Sequence, residues 1–192
     1  TASQVFHVPF DEVTPLQRRN AKAVNFGIIY GMSDYGLAEQ LGVTVKEAKS
    51  FIEKYFEKYA EIKEYMNKSI AFGKENGYVS TVLNRKRYIP EIHEKNYMRQ
   101  EFGKRLAMNS PIQGSAADII KLAMIKVDQL LKENHMKSKM ILQVHDELIF
   151  DVYEDELEQM MKLVQTGMES AYQMTVELKA EGTYAKNWYE LK

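Results

Sequence analysis

Four residues at strict four-residue spacing, Arg18, Lys22, Phe26 and Tyr30, have side chains suited to a charged, planar ligand. Residues four apart lie on one face of an α-helix. That face would carry two cations followed by two aromatic rings along about 18 Å of helix. Cations bind polyphosphates, and rings pack against a base and a sugar. We call these four residues the ladder, and its pattern indicates a helix that could hold a nucleoside triphosphate end to end.

An ordinary amphipathic helix is the alternative interpretation of the ladder. Aromatic residues at helical spacing usually belong to a core, and cations at that spacing usually face solvent. Here the two classes share one face instead of lying on opposite faces. Val24, Ile28 and Ile29 offer other apolar side chains for burial. From these residues alone, both interpretations stay open.

A second group of chemically active residues, His145, Asp146 and Glu147, separates two apolar, β-prone runs. This pattern predicts a β-hairpin with Asp146 at or beside its tip. Carboxylates on rigid strands bind hard divalent cations such as Mg²⁺ through oxygen. A plain polar turn is the alternative. A two-metal site needs more carboxylates than this pair, and no second carboxylate cluster is evident in the sequence.

A third group, Arg105, Asn109 and Gln113, again has four-residue spacing, and all three side chains can donate hydrogen bonds. The minor groove of DNA presents acceptors in nearly the same place for either orientation of a base pair. Hydrogen-bond donors of this kind are suited to holding a DNA duplex without distinguishing its base sequence. Pro111 is expected to end a helix begun near residue 95, so that only the first two share a face. Helix capping and surface solvation are the competing explanations.

The sequence predicts helices in the first part of the chain, followed by helices and a small sheet in the second part, and these elements must position the three groups. Thr44 with Glu47 predicts a capped helix start, and Gly77 predicts a helix end. Runs 78–83 and 86–89 predict a hairpin rich in cations, and 176–180 alternates like a final strand. The expected fold class is α+β, with a mostly helical part followed by helices packed on a small antiparallel sheet.

Composition limits the classes of protein that fit. Among 192 residues there is no cysteine, which excludes disulfides and thiolate metal sites and favours a reducing, cytoplasmic setting. No apolar run has membrane length, so no membrane partner is expected. The net charge of −1 hides a segregation, with −7 in residues 146–192 and +6 in the remainder. Such segregation suits a protein that meets phosphates on one side.

These motifs together resemble those of family A DNA polymerases. Residues 18–31, RRNAKAVNFGIIYG, resemble the family's fingers-helix motif, and residues 143–147, QVHDE, resemble its palm carboxylate motif. Residues 110–118, SPIQGSAAD, are similar to the segment between them. The resemblance extends over nearly the whole chain. It implies that residues 1–94 form the fingers subdomain and that residues 95–192 form the C-terminal part of the palm subdomain.

The resemblance also implies roles in nucleotide binding. Arg18 and Lys22 match residues that hold the triphosphate of the incoming nucleotide, and Lys22 matches the proton donor to the departing pyrophosphate. Phe26 matches the ring beside the nucleotide sugar and base, and Tyr30 the ring near the templating base. His145 matches a residue close to the primer terminus and the nucleotide.

For the other positions, the resemblance implies metal and DNA contacts. Asp146 matches one of two catalytic aspartates that bind Mg²⁺, and Glu147 holds an auxiliary catalytic and metal-binding place. Arg105, Asn109 and Gln113 match residues near the duplex minor groove.

The implied activity is template-directed DNA synthesis in replication and repair, with nucleotidyl transfer from a dNTP to a primer 3′-hydroxyl by a two-metal mechanism. The implied partners are primer–template DNA, the dNTP and the missing N-terminal part of the polymerase. Because the motif with the other aspartate should lie upstream of Thr1, the chain is expected to be a fragment that is inactive alone. A non-enzymatic helical nucleic-acid-binding module and a single-subunit RNA polymerase are the alternatives.

Overall fold

The computed structural model describes residues 2–3 and 8–191 and contains two compact units, Thr1–Gln113 and Gly114–Lys192. We call them the N-terminal and C-terminal units. Six α-helices and two separate two-stranded antiparallel sheets occur in the described residues, which confirms the α+β class. Within the same residues, no helix is both long enough and apolar enough to cross a membrane. The expected fingers–palm boundary at residue 94 concerns subdomain roles and stays a prediction.

The N-terminal unit is mainly helical. Its elements are α1 (Pro15–Ile29), α2 (Asp34–Leu41), α3 (Val45–Lys58), α4 (Ala60–Asn76), β1 (Tyr78–Ser80), β2 (Lys86–Tyr88), a 3-10 helix (Pro90–His93) and the first part of α5 (Tyr97–Glu133). Two hydrophobic clusters form its core. One joins α1 to α2 and α3 through Val24, Ile28, Leu37, Ala38, Ala48 and Tyr55, and the other lies around Val79, Ile89, Ile92 and Ala107.

Side-chain capping fixes where two of these helices begin. Thr44 accepts a hydrogen bond from the Glu47 backbone nitrogen, while the Glu47 carboxylate accepts one from the Thr44 nitrogen at 2.8 Å. The predicted capping box is therefore confirmed. Hydrogen bonds donated to the Glu47 carboxylate by the Thr44 hydroxyl, and then by the Thr44 backbone nitrogen, lower the pKa of Glu47. Thr14 and Gln17 form a second box in front of α1, with Pro15 at the first helical position.

A left-handed glycine ends the ladder helix. The Met32 nitrogen donates to the Gly27 carbonyl at 2.7 Å, and the Gly31 nitrogen donates to the Ile28 carbonyl at 3.0 Å. This pair of bonds is the Schellman arrangement, which needs a residue with positive φ. Gly31 provides it with φ of +73°. The helix therefore stops at a defined residue, with Tyr30 as its last, half-helical position.

The expected helix break at Pro111 is wrong. Helix α5 runs without interruption from Tyr97 to Glu133 with Pro111 inside it. A proline loses its own hydrogen bond to the carbonyl four residues earlier and crowds that carbonyl, and buried packing on either side can offset this cost. Ala107 and Ala123, both almost fully buried, lie on either side of the proline.

The C-terminal unit combines the rest of α5 with a hairpin and one more helix. Strands β3 (Lys139–Val144) and β4 (Glu147–Asp151) pair antiparallel, and helix α6 spans Leu157–Glu169. Val127, Leu131 and Met160 form the buried core of this unit. The hairpin that was predicted around residues 145–147 is confirmed.

The predicted final strand at residues 176–180 is wrong, since no strand lies there. A strand needs backbone partners in a neighbouring strand. At Ala180 the backbone nitrogen donates instead to the carboxylate of Glu169, at 3.1 Å. This bond lowers the pKa of Glu169.

Candidate functional site

The ladder residues form a continuous exposed row. The Lys22 ammonium lies 5.9 Å from the centre of the Phe26 ring. The rings of Phe26 and Tyr30 are nearly parallel, 12° apart in plane with centres 6.1 Å apart. Phe26 is 45% exposed and Tyr30 43%, so neither ring belongs to the core. Arg18 is exposed one turn before Lys22.

The opposite face of α1 holds the helix in place. Val24 is fully buried and Ile28 nearly so, which leaves the ladder face free for a ligand. Asn25 accepts a hydrogen bond from the Tyr55 hydroxyl at 2.8 Å. Burial raises the pKa of Tyr55, and the nearby Tyr59 raises it further. The helix therefore separates an anchoring face from an available face, as the ligand-binding interpretation of the ladder requires.

The end of the ladder contacts α5. The Asn109 side-chain nitrogen donates to the Tyr30 carbonyl at 3.5 Å. A β-carbon placed on Gly31 would lie 2.7 Å from the Met108 methyl and 3.0 Å from the Arg105 Cγ, so glycine allows this close approach. The C-terminal end of the ladder helix therefore lies beside two residues of the predicted DNA-binding group, Arg105 and Asn109, within the N-terminal unit.

Helix α5 carries the whole predicted DNA-binding group. Because the helix continues through Pro111, Arg105, Asn109 and Gln113 all lie on it at four-residue spacing and share a face, which corrects the expectation for Gln113. The Arg105 guanidinium lies 5.8 Å from the Phe102 ring.

Sequence reasoning missed the residues that position this region. Tyr65 donates from its hydroxyl to the Met108 carbonyl at 3.2 Å, and Met108 touches Gly31. No spacing pattern links Tyr65 to Met108, since 43 residues separate them. The tight Gly31 turn was the one available signal, because a glycine directly after a helix indicates a close approach or a positive φ.

The hairpin of the C-terminal unit presents the predicted metal group to solvent. His145 and Asp146 form its two-residue loop, and Glu147 begins β4 opposite Val144. His145 has φ of +53°, which is uncommon for a non-glycine residue. The side-chain nitrogen of Gln143 donates to the His145 carbonyl at 2.6 Å and holds the loop.

The predicted metal group contains two carboxylates, Asp146 and Glu147. In residues 2–3 and 8–191, no cluster of three or more His, Cys, Asp or Glu side chains could hold a metal ion. Asp146 and Glu147 therefore provide at most part of a coordination shell, because Mg²⁺ prefers six oxygen ligands in octahedral geometry.

Comparison with known proteins identifies the family. The family model for DNA polymerase family A matches residues 1–190. The chain belongs to DNA polymerase family A.

Its relatives in that family are much longer proteins. The chain is 53% identical over its full length to DNA polymerase I of Caldicellulosiruptor bescii, of which it covers 23%, and 52% identical to that of Bacillus subtilis, of which it covers 22%. It therefore spans less than a quarter of these family A relatives.

A solved family A structure supports the same conclusion. The polymerase domain of Pol1 from M. smegmatis, in complex with a DNA primer–template and dNTP, matches with a TM-score of 0.89 and 47% identity. The match covers 93% of this chain and 31% of that one.

Proposed function

We propose that this chain is part of a DNA-directed DNA polymerase and supplies its nucleotide-binding helix and one of its metal-binding hairpins. Residues 1–94 act as the fingers and residues 95–192 as the C-terminal part of the palm. The reaction is nucleotidyl transfer from a dNTP to a primer 3′-hydroxyl on a DNA template. The family and the DNA-bound and dNTP-bound relative support this proposal.

The exposed ladder is the observation that carries the proposal. A helix keeps two large rings in water only at a cost, because apolar surface is stabilised by burial. Phe26 and Tyr30 remain almost half exposed although α1 has a well-buried opposite face. A ligand that covers the two rings and pairs with Arg18 and Lys22 would offset the cost of their exposure.

Each ladder residue then has its own part in the transfer. Arg18 and Lys22 bind the triphosphate and offset negative charge that develops on the leaving pyrophosphate. The Lys22 ammonium gives a proton to that leaving group. Phe26 packs against the sugar and base of the dNTP, and Tyr30 lies next to the templating base. His145 contacts the nucleotide near the primer terminus.

The three residues on α5 act on the duplex. Arg105, Asn109 and Gln113 donate hydrogen bonds to minor-groove acceptors beside the primer terminus. Because the Asn109 side chain also bonds the Tyr30 carbonyl, one residue touches both the helix that holds the nucleotide and the surface assigned to the duplex. A mispair that moves the acceptors would weaken these bonds.

Asp146 and Glu147 would hold a divalent cation, and we propose Mg²⁺. Their carboxylate oxygens fit a hard cation in chemistry but not in number, so ligands from elsewhere in the longer protein would complete the shell. A bound divalent cation would neutralise phosphate charge and lower the pKa of the attacking hydroxyl. Primer extension by the isolated chain is accordingly expected to be absent or nearly so, and robust extension would refute this incomplete-site argument.

Nucleotide binding by the chain itself tests the ladder. Calorimetric titration with a dNTP should show binding that Lys22→Ala weakens by roughly ten- to a hundredfold, the usual loss for a charged hydrogen bond. Lys49→Ala is the matched control, because it removes the same charged side chain from an exposed position on another helix of the unit, α3. Equal losses in both variants would mean that only the general charge of the unit matters.

A non-enzymatic nucleic-acid-binding module is the second candidate, favoured by the basic region between residues 84 and 105. Substitution of Asp146 in the full-length polymerase separates the two. Asp146→Ala should abolish extension while primer–template binding persists. If extension survives, the chain acts by binding alone.

A further inference from the structure

The β1–β2 hairpin of the N-terminal unit carries an aromatic and basic surface that the proposed reaction does not use. Tyr78 pairs directly with Tyr88 across the two strands, and Ser80 pairs with Lys86. Side chains two apart in a strand lie on the same face of a sheet. Tyr78, Tyr88 and Lys86 therefore share one face, which we call the hairpin platform.

Contacts between its side chains give the platform a defined geometry. The rings of Tyr78 and Tyr88 lie 5.9 Å apart at 61°, and Phe72 of α4 meets Tyr78 edge-on at 5.7 Å. The Lys86 ammonium lies 4.3 Å from the centre of the Tyr78 ring. A cation over a ring is attracted by the ring's electrons, so Tyr78 fixes where the charge lies.

One ring of the platform remains open. Tyr88 is 71% exposed, and Phe72 at its margin is 42% exposed. The other face of the hairpin is anchored, because Val79 and Ile89 are buried in the cluster that includes Ile92. The open ring is thus a rigid, accessible surface with a positive charge held beside it.

We propose that the hairpin platform binds single-stranded DNA, with a base stacked on Tyr88 and a neighbouring phosphate paired with Lys86. Rings that stack bases beside cations that follow the backbone are the usual means of binding a single strand without regard to sequence. The choice of DNA rests on the proposed function, in which the unpaired template ahead of the primer is the available strand. The platform residues belong to β1 and β2, whereas the ladder lies on α1 and Arg105, Asn109 and Gln113 lie on α5.

Fluorescence anisotropy with a labelled oligothymidylate of about 12 nucleotides tests the platform on the chain itself. No nucleotide or metal is added, so failure of the proposed polymerase function would not change the result. Tyr88→Ala should weaken binding roughly tenfold, and Tyr88→Phe should restore it because the ring, not the hydroxyl, stacks. Lys86→Ala should lower the salt dependence, the slope of log K against log salt, by about 0.7.

Arg87→Ala is the matched control. Arg87 is exposed on the same strand but pairs with buried Val79, so its side chain belongs to the other face. Its removal should change the affinity within about twofold in 0.1 M salt, where charges are screened beyond about 10 Å. If it weakens binding as much as Lys86→Ala does, the hairpin is only a diffuse patch of charge and the proposal fails.

Blunt duplex DNA completes the experiment. The platform variants should bind it as well as the parent chain does, because stacked base pairs offer no free base face to Tyr88. Equal losses for duplex and single strand would overturn the proposal in favour of a phosphate contact to duplex. No loss in Tyr88→Ala with the single strand would overturn it as well.

Discussion

The side-chain nitrogen of Asn109 donates a hydrogen bond to the backbone carbonyl of Tyr30 across 3.5 Å, although 79 residues separate the two in the chain. The other side-chain atom of this amide, Oδ1, is buried without a hydrogen-bond partner. A buried acceptor left unpaired costs about 1–3 kcal/mol, more than a long neutral hydrogen bond returns. The Asn109 side chain thus contacts the ladder helix at a net cost to the stability of the fold.

We predict that Asn109→Ala leaves the free energy of unfolding unchanged or raises it by up to about 1 kcal/mol. The substitution removes the unpaired Oδ1 together with the weak bond to Tyr30. Urea unfolding followed by circular dichroism measures the change. Asn76→Ala is the control, because the Asn76 amide donates to the Phe72 carbonyl at 3.0 Å and the residue is exposed. A loss of more than about 1 kcal/mol in Asn109→Ala would contradict the argument.

A second prediction separates backbone strain from crowding. Gly31 and Gly42 both have positive φ, +73° and +67°, but only Gly31 has atoms within 4 Å of a β-carbon placed on it. Gly42→Ala should cost about 1–2 kcal/mol from the left-handed backbone alone. Gly31→Ala should cost roughly 2–4 kcal/mol, because contact with Met108 and Arg105 adds an overpacking term. Equal losses in urea unfolding would show that the Gly31 surroundings yield freely.

Gly103 gives a third prediction. A β-carbon there would lie 2.5 Å from the Ile92 backbone nitrogen, which cannot move aside as a flexible side chain could. Gly103→Ala should therefore destabilise by about 1–3 kcal/mol despite the gain of about 1 kcal/mol in helix propensity. Gly73→Ala is the comparison in another helix, where the nearest atoms are side-chain carbons at 3.3 Å. Its thermal midpoint should change little, and a similar fall in both variants would argue against backbone contact as the cause.

The C-terminal unit supplies a prediction about pH. Hydrogen bonds from the Lys137 nitrogen, and then from the Ser138 hydroxyl, hold the pKa of Glu156 below its ordinary value of 4.5. Because the unfolded chain takes up the proton at higher pH, Glu156 contributes stability above about pH 4.5. That contribution is lost as the pH falls through the lowered, folded-state pKa.

Glu156→Gln checks this dependence. At neutral pH the variant should unfold at a lower urea concentration than the parent, and the difference should shrink below about pH 4.5. Glu154→Gln is the control, because Glu154 lies in the same short 3-10 helix, Glu154–Glu156, and carries the same charge, whereas the bonds from Ser138 go to Glu156. A constant difference between parent and Glu156→Gln from neutral to acidic pH would contradict the assignment.

Local signals predicted much of this fold. The capping box of Thr44 and Glu47 and the helix end at Gly77 depend on neighbours within a few residues, and the structure has both. The shared face of Lys22 and Phe26 also follows from helical spacing alone. Pro111 was misjudged because its effect depends on tertiary packing around α5, which a spacing rule does not contain.

Parts of the candidate site depend on contacts between distant segments and lie beyond sequence patterns. The bond from Tyr55 to Asn25 crosses 30 residues, and the bond from Tyr65 to Met108 crosses 43. The spacing of these residues in the sequence does not indicate which of them form hydrogen bonds with each other. Residue types at the ladder suggested what could bind there, whereas the exposure of Phe26, which rules out a core position, is visible only in the structure.

The two faces of α1 have different consequences for inherited variation. Arg18 and Lys22 are exposed, so a polypeptide altered at either residue would keep its buried side and its normal abundance in the cell. One altered at Val24 would lose core packing and be removed by proteases, since a loss of 1–2 kcal/mol can lower abundance several-fold. Substitutions a few residues apart on one helix are therefore expected to differ in their effect on protein abundance.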